Sequence, residues 1–72
     1  MTKSEFVKIF NLLELNYNKY NIDEDIADIW YEEFKDIGKE KFEKCVINYI
    51  KEEKNFPTIN KLSNFIDGLW LR

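Results

Sequence analysis

The sequence predicts an all-α protein, a small compact bundle of about four short helices. Apolar residues recur at steps of three and four along most of the 72 residues, the spacing of one helix face. No stretch alternates apolar and polar residues for long, so no strand is expected. One Pro and two Gly leave few places for turns. The length suits a single helical domain over residues 1–72, burying only about 60% of its unfolded surface.

The first helix is expected over 2–20. Phe6, Ile9, Phe10, Leu13, Tyr17 and Tyr20 make a narrow stripe on one face. Thr2 and Glu5 have capping-box spacing. The run NKYNID then breaks the pattern. The second helix is expected over 24–37, with Asp23 as N-cap and Gly38 as the residue just past its end. Ile26, Ala27, Trp30, Phe34 and Ile37 share its apolar face, and Ile29 and Glu33 lie on the flank.

The third helix is expected over 40–53. Phe42, Cys45, Val46, Tyr49 and Ile50 follow i, i+3, i+4, i+7, i+8. NFPT then marks the sharpest break in the chain. Pro57 drives Phe56 into an extended conformation, and Thr58 caps a fourth helix over 58–68. Ile59, Leu62, Phe65, Ile66 and Leu69 form its apolar face, and Gly68 is expected to end or fray it.

Composition narrows function. The net charge is -3 and the pI about 4.9, which argues against an indiscriminate polyanion binder. There is no His and one Cys. Ser-His-Asp and Cys-His catalysis, His-containing zinc sites and an internal disulfide are thereby excluded. No phosphate-binding Gly loop occurs, so no enzyme activity and no cofactor are expected. The stretch MTKSEFVKIFNLLELNYNKY has no long uncharged apolar run, so neither a secretion signal nor a membrane span is expected. The expected location is the cytoplasm, and a lone Cys agrees with a reducing compartment.

Cys45 lies on the apolar face of helix three and reads as a small core residue, since no His can serve it as a base. The stripe Phe6, Phe10, Tyr17 and Tyr20 could stack bases, but its spacing is that of a core. Lys39, Lys41, Lys44, Lys51 and Lys54 crowd helix three, yet Glu40, Glu43, Glu52 and Glu53 are interleaved with them. Such compensation argues against phosphate contact, and direct nucleic-acid binding is not expected.

The acidic helix is more informative. Residues 23–36 hold seven acids and one Lys, while the remainder of the chain is net basic. Asp25, Asp28, Glu32 and Asp36 fall on one helical face, away from the apolar face. Like charges at i, i+4 cost about 0.2–0.5 kcal/mol per pair, and Asp36 opposes the helix dipole. The stripe is a solvated face, or pairs with lysines of helix three, or is a docking surface for a basic patch on a partner. Metal readings fail on pattern. Asp23, Glu24 and Asp25 open like a calcium loop, but its central Gly and closing Glu are missing. Leu69, Trp70 and Leu71 precede Arg72. Trp70 either folds back onto the core or serves as a partner contact.

The order of these features resembles a known family. Trp30 in IADIWYEEFKDI is followed by FEKCVINYI and then NFPTINKL. The pattern is similar to the folded N-terminal domain of phage-encoded loader/inhibitors of the replicative DNA helicase, over about residues 4–66. The resemblance implies an all-helical protein that binds a hexameric helicase in its nucleotide-bound state. It further implies that the protein restrains the helicase and helps deliver it to an origin-bound initiator, in a phage-infected or lysogenic bacterium. Family members make much of the helicase contact through a flexible C-terminal tail, and no residue here matches it. The alternative is a small acidic phage-encoded inhibitor of another host protein, one that mimics DNA with its acidic face.

Overall fold

A computed structural model describes residues 1–19 and 22–70, Trp70 through its backbone alone. Four helices follow one another: α1 (Lys3–Asn16), α2 (Glu24–Phe34), α3 (Lys39–Glu52) and α4 (Ile59–Trp70). No strand occurs among the described residues. The all-α reading therefore stands.

Helix starts follow the sequence closely. The Thr2 hydroxyl accepts from the Glu5 amide at 3.2 Å, and the Glu5 carboxylate accepts from the Thr2 amide at 2.8 Å. This reciprocal box satisfies two amides that the first helical turn leaves without partners. The bond from the Thr2 amide is also the largest influence holding the Glu5 carboxyl below its ordinary value. Asp23 caps α2 by accepting from the Asp25 amide at 2.8 Å, and Thr58 caps α4 by accepting from the Lys61 amide at 3.1 Å.

Helix ends depart from the sequence reading. α1 stops at Asn16 rather than at residue 20. Asn18 takes a left-handed conformation at φ 54°, and the Lys19 amide reaches back to the Glu14 carbonyl at 2.9 Å. This is a Schellman closure with Asn in the role usually taken by Gly. Tyr20 lies outside the described residues. α2 ends at Phe34, three residues early, so Asp36 lies in the turn that follows. Crowded acids oppose the dipole at a helix C-terminus, which disfavours further turns. Gly38 does not close α2. It is the N-cap of α3, at φ -63° and ψ 143°, where no glycine is required. α4 continues through Gly68 to Trp70. Gly68 carries the usual helix-interior penalty of about 1 kcal/mol without breaking the helix.

Aromatic contacts fix how the helices lie. The Phe6 and Phe42 rings are 5.7 Å apart near the starts of α1 and α3. Tyr17 and Tyr49 are 6.2 Å apart near their ends. α1 and α3 therefore run side by side in the same direction. α2 packs on α1 and runs back along it, with Phe10 to Trp30 at 5.2 Å and the Met1 ammonium, just before α1, donating to the Lys35 carbonyl at the end of α2 at 3.0 Å. α4 packs on α3 and runs back along it, with Lys61 to Glu53 at 3.6 Å and Tyr49 to Phe65 at 5.4 Å. The chain thus runs up, down, up and down, with α2 and α4 flanking a central α1–α3 pair.

Five rings close a circuit through α1, α2 and α3: Phe6, Phe10, Trp30, Phe34 and Phe42, each within 6.0 Å of the next. Such pairs add about 0.5–1.5 kcal/mol each beyond area burial. Phe56, just before Pro57, joins the circuit through Phe10 and Trp30 and also meets Tyr17. Cys45 and Val46 are fully buried within the same core. Phe6 and Phe10 of the α1 stripe are therefore core, with Tyr17 packed against it, rather than an open stacking platform.

Candidate interaction site

α2 is held by a narrow contact. Only Trp30 and Phe34 of its residues are buried. Ala27 and Tyr31 are half-buried beside them. Most of the rest of its circumference faces solvent, and it is there that the acids of the sequence fall.

The four carboxylates of the expected stripe have different fates. Asp25 is exposed in the first turn of α2, where the helix dipole favours it. Asp28 is half-buried and paired with the Lys3 ammonium of α1. Its shielded oxygen, Oδ1, is the one that faces that ammonium. Hydrogen bonding to Asp28 is the main influence that raises the Lys3 ammonium above its ordinary value. Glu32 is exposed and accepts from Lys35 Nζ at 2.8 Å. That bond likewise raises the Lys35 ammonium. Asp36 is exposed in the turn beyond the helix. The lysines that pair with Asp28 and Glu32 thus come from α1 and from the end of α2, not from helix three.

Ile26 and Ile29 stand among these acids. Ile26, expected on the apolar face, is 49% exposed, and Ile29 is 60% exposed. Successive residues turn by about 100°, so Ile29 points well away from Trp30. One turn of helix separates the two isoleucines, which makes them neighbours on the surface. Glu33 lies between them in angle, and Asp25 and Glu32 lie beside Ile29. The signal was present in the sequence. The apolar residues of α2 spread over an arc wider than one neighbouring helix covers.

Trp70, the remaining candidate contact, ends α4, and its side chain lies outside the described residues. Close to it, Asn48, Glu52, Phe65, Gly68 and Leu69 line a shallow recess of about 270 Å³ between α3 and α4. A second recess of about 540 Å³, at the start of α3, is lined by Gly38, Lys39, Glu40, Lys41 and Lys44. All of its side chains are exposed, so it offers no water-excluded setting for catalysis. Among the described residues no group of three His, Cys, Asp or Glu could hold a metal ion. None of their helices is long and apolar enough to cross a membrane.

Residues 1–63 match the family model of the N-terminal domain of gp39P, a phage helicase loader/inhibitor. Comparison with curated proteins and with solved structures gave no match. The family match spans α1, α2, α3, the NFPT turn and the first residues of α4.

Proposed function

Because this chain belongs to the family of gp39P N-terminal domains, that of the phage helicase loader/inhibitors, we propose that it is a non-enzymatic module that binds a hexameric replicative helicase. It restrains that helicase in its nucleotide-bound state and helps hand it to an origin-bound initiator. Its place of action is the cytoplasm of a bacterium carrying the phage. The family match over residues 1–63 is the observation that carries this reading.

The contact surface is the outward side of α2. Asp25, Glu32 and Asp36 present negative charge to a basic patch, and such complementarity steers encounter and selects partners. Asp28 is already engaged with Lys3 and serves to hold α2 against α1. Trp70 is a second contact, at the far end of the chain. A DNA-mimicking inhibitor would need a row of unpaired carboxylates. The engagement of Asp28 by Lys3 interrupts such a row in its middle, which favours the helicase reading over it.

Size-exclusion chromatography with the purified hexameric replicative helicase of the same phage or its host tests this directly. Co-elution with ATP and separation without it is the expected result. Separate elution in both nucleotide states would contradict the proposal.

A further inference from the structure

We infer that Ile26 and Ile29, framed by Asp25, Glu32 and Glu33, are the centre of the docking face and receive a basic amphipathic helix of the partner. This assignment rests on the helicase reading and adds the residues and the kind of element they take. Ile26 and Ile29 are 49% and 60% exposed, and Ile29 is the most exposed of the described large apolar side chains. Two isoleucines one turn apart form a short ridge on a helix of 11 residues. A second helix laid alongside would seat its own apolar residues, at i and i+3 or i+4, against that ridge. The flanks decide the rest of its chemistry. Asp25 and Glu32 lie on one side of the ridge and Glu33 between its two members. An occupant bearing Lys or Arg beside its apolar positions gains on every flank, and one bearing acids is repelled.

The chain itself carries a face of the favoured kind. Ile47 of α3 is 40% exposed and stands between Lys44 and Lys51 at i-3 and i+4. A second copy is therefore the competing occupant. Glu40 and Glu43 interrupt that lysine face and would meet the acids of α2. Pairing α2 of one copy with α3 of the next is also a heterologous contact, which forms open chains unless the rotation closes. Both points favour a partner helix without such acids.

The test compares helicase affinity, in ATP, of the unchanged chain, the double variant Ile26→Ser/Ile29→Ser and the double variant Val7→Ser/Leu15→Ser. The second pair is exposed on α1 and controls for general loss of surface apolarity. All four positions are solvent-facing, and thermal unfolding of each variant confirms that the fold is kept. The α2 variant is expected to lose at least about tenfold in affinity, the effect of removing an interface anchor, and the α1 variant less than about twofold. Equal affinity of the α2 variant and the unchanged chain would overturn the inference while leaving the helicase reading intact. Absence of binding by the unchanged chain would overturn both. A chain that is dimeric alone, and that the α2 variant makes monomeric, would identify the occupant as a second copy and also overturn it. Photocrosslinking from position 29 then locates the partner segment. A crosslink within a Lys- or Arg-bearing helix is expected, and one within an acidic or extended segment would refute the assignment.

Discussion

Lys3, one residue after the cap of α1, holds Asp28 in the middle of α2. The pair spans the α1–α2 interface at a point where α2 has only Trp30 and Phe34 buried. Close by, the Tyr31 hydroxyl donates to the Met1 carbonyl at 3.1 Å. The start of the chain is thus strapped across the helix that presents the candidate docking face. Asp28→Asn should lower thermal stability slightly, and high salt should shrink the difference, because a half-exposed pair is screened. Helicase affinity should change little. Thermal unfolding at low and high salt, beside a binding titration, checks both parts.

The phenols of Tyr17 and Tyr49 set the behaviour in alkali. They donate to the carbonyls of Glu53 and Asn55, each at 2.8 Å, and so tie α1 and α3 to the segment entering NFPT. Burial is the largest influence raising both phenols above the ordinary 10.0. In the unfolded chain they lose protons near pH 10.0, before the folded chain does, so stability falls as pH rises from there. Lys3 and Lys35 act in the same direction. Their raised values give stability that is present below 10.5 and lost as pH climbs through the folded values. Glu5 acts at the other extreme. Its lowered value gives stability present above 4.5 that is lost as pH falls through the folded value. Urea unfolding from about pH 8 to about pH 11, bracketing the phenol range, should show the alkaline loss. The double variant Tyr17→Phe/Tyr49→Phe should reduce it to the part due to the lysines. Tyr49→Phe alone should cost about 1 kcal/mol at neutral pH, the net worth of one hydrogen bond.

The caps offer a pair of opposite predictions. Thr58→Ala removes the acceptor for the Lys61 amide and should cost about 1 kcal/mol, within the range of about 0.5–2 for such losses. Gly38 caps α3 with no side-chain bond, and a Cβ there would meet nothing within 4 Å. Gly38→Ser supplies an acceptor and restricts the unfolded chain. It should stabilise by a few tenths to about 1 kcal/mol. Chemical denaturation of the two variants gives both signs.

Cys45 is fully buried in α3. Its thiol should resist alkylation by iodoacetamide in the native chain and react promptly in denaturant, since reactivity needs an accessible thiolate. Mass spectrometry of a time course reads the difference. Rapid native labelling would mean that α3 opens locally.

The sequence and the structure agree where physics is local. Thr2 with Glu5, Asp23 and Thr58 act on their own next turns, so their caps were legible as spacing. The α3 face from Phe42 to Tyr49 was legible for the same reason, because its helical period is unbroken. Helix ends were less legible. The stop at Asn16 depends on Asn18 accepting a left-handed conformation, which no short pattern requires of Asn. Gly38 invited a C-terminal reading, but its backbone conformation is open to any residue. The acidic stripe was legible as a face and not as a set of roles. Separating Asp28 from Asp25 required knowing that Lys3 lies across from it. The wide apolar arc of α2 was legible, but that Ile26 and Ile29 would be the part left exposed depended on α2 packing chiefly against α1, which is a matter of tertiary arrangement.

Whether the outward side of α2 meets the helicase is decided by hydrogen–deuterium exchange of the chain, alone and with the ATP-loaded hexamer. Slowed exchange across residues 24–36 is expected, with the outward side of α1 unchanged. Slowed exchange confined to α3 or α4, with residues 24–36 unaffected by a helicase that is demonstrably bound, would contradict it.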